Sequence, residues 1–270
     1  DFFMEHVLDV KKLVNELTLE EKASLCSGAD FWHTEAIDRL NIPAAMVSDG
    51  PHGIRKQENL ADHMGVAESI KAIGFPTASA MACSFDRDLL HKVGDALGEE
   101  CVAEDLAVLL GPGINMKRSP ICGRNFEYYS EDPYLSGTIA VASTGGIKDG
   151  GAWGTIKHFA LNGQESHRFK IDAVCSERAI RQIYLKTFEM AVKAGTVKAL
   201  MTAYNPINGH WAASNYDLCT TILRNEWGYD GIVMTDWWAK MNDVVEGGEE
   251  SNQDTRDMVR SQNDVYMVVN

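Results

Sequence analysis

The sequence predicts an α/β protein whose leading architecture is a (β/α)8-type barrel. Short apolar runs alternate with longer amphipathic stretches, which implies a parallel sheet with helices covering it. About seven candidate strands fall within 270 residues. Polar or aromatic residues repeatedly follow the apolar runs, as they do where a barrel gathers functional groups on its C-terminal face. A doubly wound open sheet is the alternative. The chain has no GxGxxG after its first strand and no GK[ST] loop, so nothing supports a nucleotide site.

The elements follow from period and punctuation. Candidate strands are 44–48, 78–82, 106–110, 153–157, 198–203, 231–235 and 264–269. Helical patterns occupy 8–26, 86–104, 131–149, 176–194 and 216–227. Ser176-Glu177 and Asn215 supply helix starts, and Thr18 with Glu21 forms a capping box that starts a second segment inside 8–26. Two polar stretches, near 55–72 and 247–257, read as insertions rather than linkers. Because residue 270 follows the last candidate strand directly, the barrel is expected to be imperfect and to lack its closing C-terminal helix.

Composition narrows the function classes. The chain is 45% hydrophobic and 24% charged, ordinary values for a globular protein. Its net charge of −14 repels phosphate backbones and anionic lipid, so neither nucleic acid nor a membrane surface is an expected partner. No apolar run is long enough to span a bilayer. The six cysteines lie far apart with no CxxC pair, which argues against a metal site and reads as a reducing, cytoplasmic location.

The run Gly231-Ile232-Val233-Met234 reads as a buried strand that ends at Thr235-Asp236-Trp237-Trp238. A carboxylate held by a rigid strand beside flat indoles suits sugar chemistry; the plainer alternative is a strand-end Asp capping the next helix beside core tryptophans. Four other strand ends carry Ser48-Asp49-Gly50, Gly111-Pro112-Gly113, Lys157-His158 and Tyr204-Asn205. Asp49 can accept hydrogen bonds from hydroxyls and Arg55 can orient it, or the two form a turn-stabilising pair. Arg124 has a fork of donors suited to carboxylates and vicinal hydroxyls. Glu127, Glu131 and Asp132 read as groups that hold the loop or cap the next helix. Lys157 and His158 are neighbours on a strand, and alternation sends neighbours to opposite faces unless the backbone bends.

Together the segments VSDGPHGIR (47–55), GPGINMKRSPICGRNFEYYSEDPYLSG (111–137), KHFALNGQE (157–165), ERAIRQIYLKTFEMAVKAG (177–195), MTAYNPINGHWAASN (201–215) and VMTDWWA (233–239) resemble glycoside hydrolase family 3, the β-glucosidase-like enzymes. LTLEEKASLCSGADFWHT (17–34) is similar to the lead-in of that branch. The resemblance implies a TIM-type N-terminal catalytic barrel over 1–270, with Asp236 as nucleophile. It places Asp49, Arg55, Arg124, Lys157, His158 and Tyr204 around the nonreducing-end sugar. It also puts Met201 in that pocket and Trp237 at the neighbouring leaving-group subsite. Lys157 and Arg124 are expected to keep nearby carboxylates ionised. The implied activity is retaining hydrolysis of nonreducing terminal β-D-glucosyl residues of a small oligosaccharide or aryl β-glycoside, with no metal or cofactor.

The chain departs from the pattern at the acid/base. The family's β-glucosidase branch draws it from a second α/β domain, expected to be absent here, so a second chain or domain is the implied supplier. The single-domain N-acetylglucosaminidases use an Asp–His dyad after KHF. Here Glu165 and His167 stand near that place with the wrong spacing. Two further readings stay open: a truncated sugar-binding or partner-assembling module with little turnover, and a β-xylosidase or other exo-glycosidase of the same family.

Overall fold

The computed structural model describes residues 9–57, 68–241 and 255–268. Five strands form one parallel sheet: β1 (Val47–Asp49), β2 (Val108–Leu110), β3 (Trp153–Phe159), β4 (Ala199–Thr202) and β7 (Ile232–Met234), hydrogen-bonded in that order. Between β4 and β7 lies a small antiparallel hairpin, β5 (Pro206–Ile207) and β6 (His210–Trp211). The sheet curls into a TIM-barrel-like ring whose seam is irregular. Val265 bridges Met234, Tyr266 bridges Ser27, Gly28 bridges Thr34, and His33 bridges Met46 next to β1. The expected strand at 264–269 is thus reduced to two bridging residues followed by a turn, with residue 269 outside the described span.

Side-chain alternation separates an inner core from an outer one. On β4, Ala199 and Met201 join the inner cluster with Val47, Leu110 and Met234, while Leu200 joins Ile156 and Val233 in the outer cluster beneath the helices. The strand expected at 78–82 is a helix, α3 (Ala78–Ala82). Its buried residues Ala78, Met81 and Ala82 follow an i, i+3, i+4 spacing, and the Thr77 side chain caps it by accepting from Ala80 N–H. Alanine-rich runs carry little period-two information, which is why 78–82 is ambiguous in sequence.

The other helices start where their caps stand. The 8–26 pattern divides into α1 (Val10–Glu16) and α2 (Leu19–Ser24), with the Thr18–Glu21 capping box opening the second. Asp86 caps α4 (Arg87–Ala103), and Asp132 caps α5 (Pro133–Asp149) with Pro133 in the first turn. Ser176 opens α6 (Glu177–Ala179), which continues through a π-helical turn at Ile180–Tyr184 into α7 (Lys186–Lys193). The pattern at 216–227 is π-helical over Asp217–Glu226, with Asn215 accepting from Leu218 N–H at 3.0 Å. A last short helix, α8 (Arg256–Arg260), precedes the seam. Of the two polar stretches near 55–72 and 247–257, residues 58–67 and 247–254 lie outside the described residues. The six cysteines, all described, are free thiols; Cys101, Cys122 and Cys219 are buried as small core residues.

Candidate active site

The parallel strands deliver their C-terminal ends to one rim, and a cavity of about 270 Å³ opens there. One side is polar, with Asp49, Arg55, Arg124, Arg168, Tyr204 and Asp236; the other is aromatic, with Phe31, Trp32, Trp237 and Trp238. Lys157 and His158 are both buried, bonded to the lining residues Asp49 and Arg124. They reach the same site because the register between β3 and β4 shifts between Ile156 and Phe159, a bulge that breaks strict alternation. The strand also runs two residues beyond its expected end, to Phe159.

Asp49, at the tip of β1, accepts from Lys157 Nζ at 3.1 Å and pairs with Arg55 at 3.4 Å. Burial alone would raise its pKa, but Lys157 and then Arg55 outweigh it and hold the carboxyl below its usual range. Arg124 pairs through Nε with the buried Glu127, and its Nη2 donates to His158 Nε2 at 2.9 Å. That bond requires Nε2 to be the acceptor, so the proton of the neutral ring sits on Nδ1. From there it is donated to the Tyr128 hydroxyl at 3.1 Å. Burial, with Arg124, Lys157 and Arg168 adding to it, pushes the His158 pKa well below its ordinary value, and the ring is neutral. Asn115 clasps the His158 backbone from both sides, at 2.7 and 2.8 Å.

Asp236 stands at the end of β7 and is 8% exposed. Its Oδ1 accepts from Trp237 N–H at 2.9 Å, its Oδ2 lies 3.8 Å from His158 Nε2, and the Tyr204 hydroxyl hydrogen-bonds the same carboxylate. Burial raises its pKa above the usual carboxylate range, against the pull of Arg124, the Trp237 N–H, Lys157 and Arg168. The expectation that the cations keep neighbouring carboxylates ionised therefore holds for Asp49. At Asp236 desolvation is the larger effect, because this carboxylate is more deeply enclosed and makes no direct ion pair with a permanent cation.

Trp237 is fixed by its indole N–H, which donates to Phe31 O at 3.1 Å, and it packs on Trp32 with ring centroids 5.6 Å apart. Met201 is buried in the inner cluster that includes Trp237, behind the cavity wall. Glu127 holds the Arg124 loop, as its position suggests.

A family model described as the glycosyl hydrolase family 3 N terminal domain matches residues 18–270. The chain belongs to glycosyl hydrolase family 3. It is similar to the thermostable beta-glucosidase B of Acetivibrio thermocellus, 51% identical over 240 residues that cover 89% of this chain and 32% of that protein. It is 48% identical to an exo-alpha-(1->6)-L-arabinopyranosidase of Bifidobacterium longum, over 84% of this chain and 30% of the relative. Among solved structures, a beta-glucosidase from Paenibacillus barengoltzii matches with a TM-score of 0.88 at 49% identity, covering 97% of this chain and 29% of that one. The chain thus spans about a third of the length of the curated relatives it matches.

Against this family background, several cavity residues carried no signal of their own in the sequence. Phe31 and Trp32 sit in the lead-in, more than 200 positions from Trp237, and only the closure of the ring brings them together. Arg168 lies in an irregular loop after β3, where no period points it anywhere.

Proposed function

We propose that this chain is the glycone-binding, nucleophile-bearing barrel of a retaining β-glucosidase. The observation that carries the reading is Asp236. Its carboxylate is held by a strand tip, the Trp237 N–H and the Tyr204 hydroxyl at the wall of a cavity of monosaccharide scale. In the proposed reaction an Asp236 oxygen attacks the anomeric carbon as the glycosidic bond breaks, giving a glycosyl-enzyme that water then opens. Asp49, Arg55, Arg124, Lys157 and His158 hold the sugar hydroxyls. Aromatic faces of Trp237 and Phe31 cover the apolar side of the leaving group, and Met201 backs the pocket from the core.

Among the described residues, the other carboxylates at the site, Asp49, Glu127 and Glu165, are each engaged by a cation. We therefore assign the acid/base to a further domain or chain, in keeping with relatives about three times as long. A retaining mechanism would set that carboxyl about 5–5.5 Å from Asp236. The Bifidobacterium relative supports a second reading, an exo-glycosidase of the same mechanism acting on a pentopyranose.

The test is covalent trapping. A 2-deoxy-2-fluoro dinitrophenyl β-glucoside should add one sugar to the chain, on the peptide containing Asp236, and Asp236→Asn should abolish it. Labelling of a different residue overturns the assignment.

A further inference from the structure

We propose that Arg168 is a positioning residue for the reaction at Asp236: tethered by Glu165 and laid on the Tyr204 ring, its guanidinium fixes the Tyr204 hydroxyl and adds positive charge beside the carboxylate. The inference rests on the reading of Asp236 as nucleophile.

The geometry begins with the loop after β3. Arg168 Nη1 donates to Glu165 Oε2 at 2.8 Å, and Asn162 Nδ2 donates to Glu165 Oε1 at 3.2 Å. The guanidinium carbon lies 4.6 Å from the Tyr204 ring centroid and 5.1 Å from that of Phe169, whose ring packs on Tyr204 at 4.4 Å. A planar cation over an aromatic face is a directional contact, which an ammonium does not reproduce. The loop is not free to carry this arm elsewhere. Its far end is clamped by the hairpin that follows Tyr204: Ala173 N–H donates to Pro206 O, and Asn208 bonds both backbone groups of Cys175 at 2.9 Å. Tyr204 and the group that covers it are therefore held by one unit.

The charges carry the second half of the argument. Arg55 pairs with Asp49, Asp49 with Lys157, and Lys157 lies 4.0 Å from Glu127. Glu127 pairs with Arg124, Arg124 lies 3.9 Å from Glu165, and Glu165 pairs with Arg168. Signs alternate along this chain from Arg55 to Arg168. Asp236 is enclosed beside it, next to the neutral His158 and Tyr204. Arg168 is one of the three cations that act on Asp236, with Arg124 and Lys157. Arg124 and Lys157 each have two carboxylate neighbours in the chain, whereas Arg168 has one.

The consequence is a pair of opposite shifts. Arg168→Gln removes a cation that acts on Asp236, so the acid limb of labelling by the fluorinated dinitrophenyl glucoside should move up by roughly one pH unit. Glu165→Gln removes the carboxylate that offsets Arg168, so the limb should move down. Arg168→Lys should return the limb toward that of the unsubstituted chain while leaving the plateau rate low, because the charge is restored without the flat stack. Labelling rates against pH are read by intact mass on the full chain, with circular dichroism to establish folding. Limbs that stay put, or that move the same way in both variants, overturn the proposal, since loop damage has no sign. A label found away from Asp236 in the unsubstituted chain defeats the nucleophile assignment first and is told apart by peptide mapping.

Discussion

As the proposed nucleophile, Asp236 combines two demands that oppose each other. A nucleophile must be ionised, yet burial is the largest influence on this carboxyl and raises its pKa. In the folded chain it gives up its proton at a higher pH than the ordinary 3.8, so the folded state binds more protons than the unfolded state between the two values. The stability it contributes is therefore greatest below the ordinary value and declines as pH rises through the raised one. Asp236→Asn removes that penalty. We predict that the variant, although unlabelled by the fluorinated glucoside, resists urea better than the unsubstituted chain at neutral pH, with the advantage shrinking as pH falls through the window. Urea midpoints at several pH values measure it. A variant less stable at neutral pH would mean that the lost hydrogen bonds from Trp237 N–H and Tyr204 outweigh the desolvation of the charge.

At the level of elements, α4 and α5 meet through glycine. A Cβ on Gly146 would stand 2.0 Å from His91 O, and one on Gly94 would stand 2.2 Å from Ser143 O, so these helices touch backbone to backbone. Helix propensity alone favours alanine over glycine by about 1 kcal/mol. Overpacking costs about 1–3 kcal/mol, and here the obstacle is backbone that cannot swing aside. Gly146→Ala should therefore lower the urea midpoint, and an unchanged or higher one would show that the helices separate cheaply. The same contrast between local and tertiary information explains what was legible in the sequence. Strands β1, β2, β3, β4 and β7 were readable because their apolar runs are short and bounded, and α2, α5 and α6 because Thr18, Asp132 and Ser176 announce them. The helix at Ala78–Ala82 was misread because small residues fit either period. The bulge that turns Lys157 and His158 into one site, and the loop that brings Arg168 to Tyr204, are set by partners far along the chain, and no local pattern encodes them.

Across the whole molecule, the sequential order of parallel strands places all five tips on one rim, so residues from Asp49 to Asp236 converge there. The net charge of −14 is not mirrored at this site, where cations and carboxylates alternate from Arg55 to Arg168 beside Asp236. What the site lacks among the described residues is a second carboxyl, besides Asp236, that is unpaired with a cation and could protonate a leaving group. General acid–base help is typically worth about 10²–10⁴-fold, and it matters least where the leaving group departs readily as an anion. We predict that the chain cleaves a dinitrophenyl β-glucoside measurably and cellobiose far more slowly, with a ratio that exceeds the difference in intrinsic reactivity. Added azide should accelerate the dinitrophenyl substrate when release of the sugar from Asp236 is limiting, because azide attacks the glycosyl-enzyme without needing a base. Comparable turnover of both substrates, with no azide effect, would place an acid/base within these residues, and loss of that turnover in Glu165→Gln would identify it.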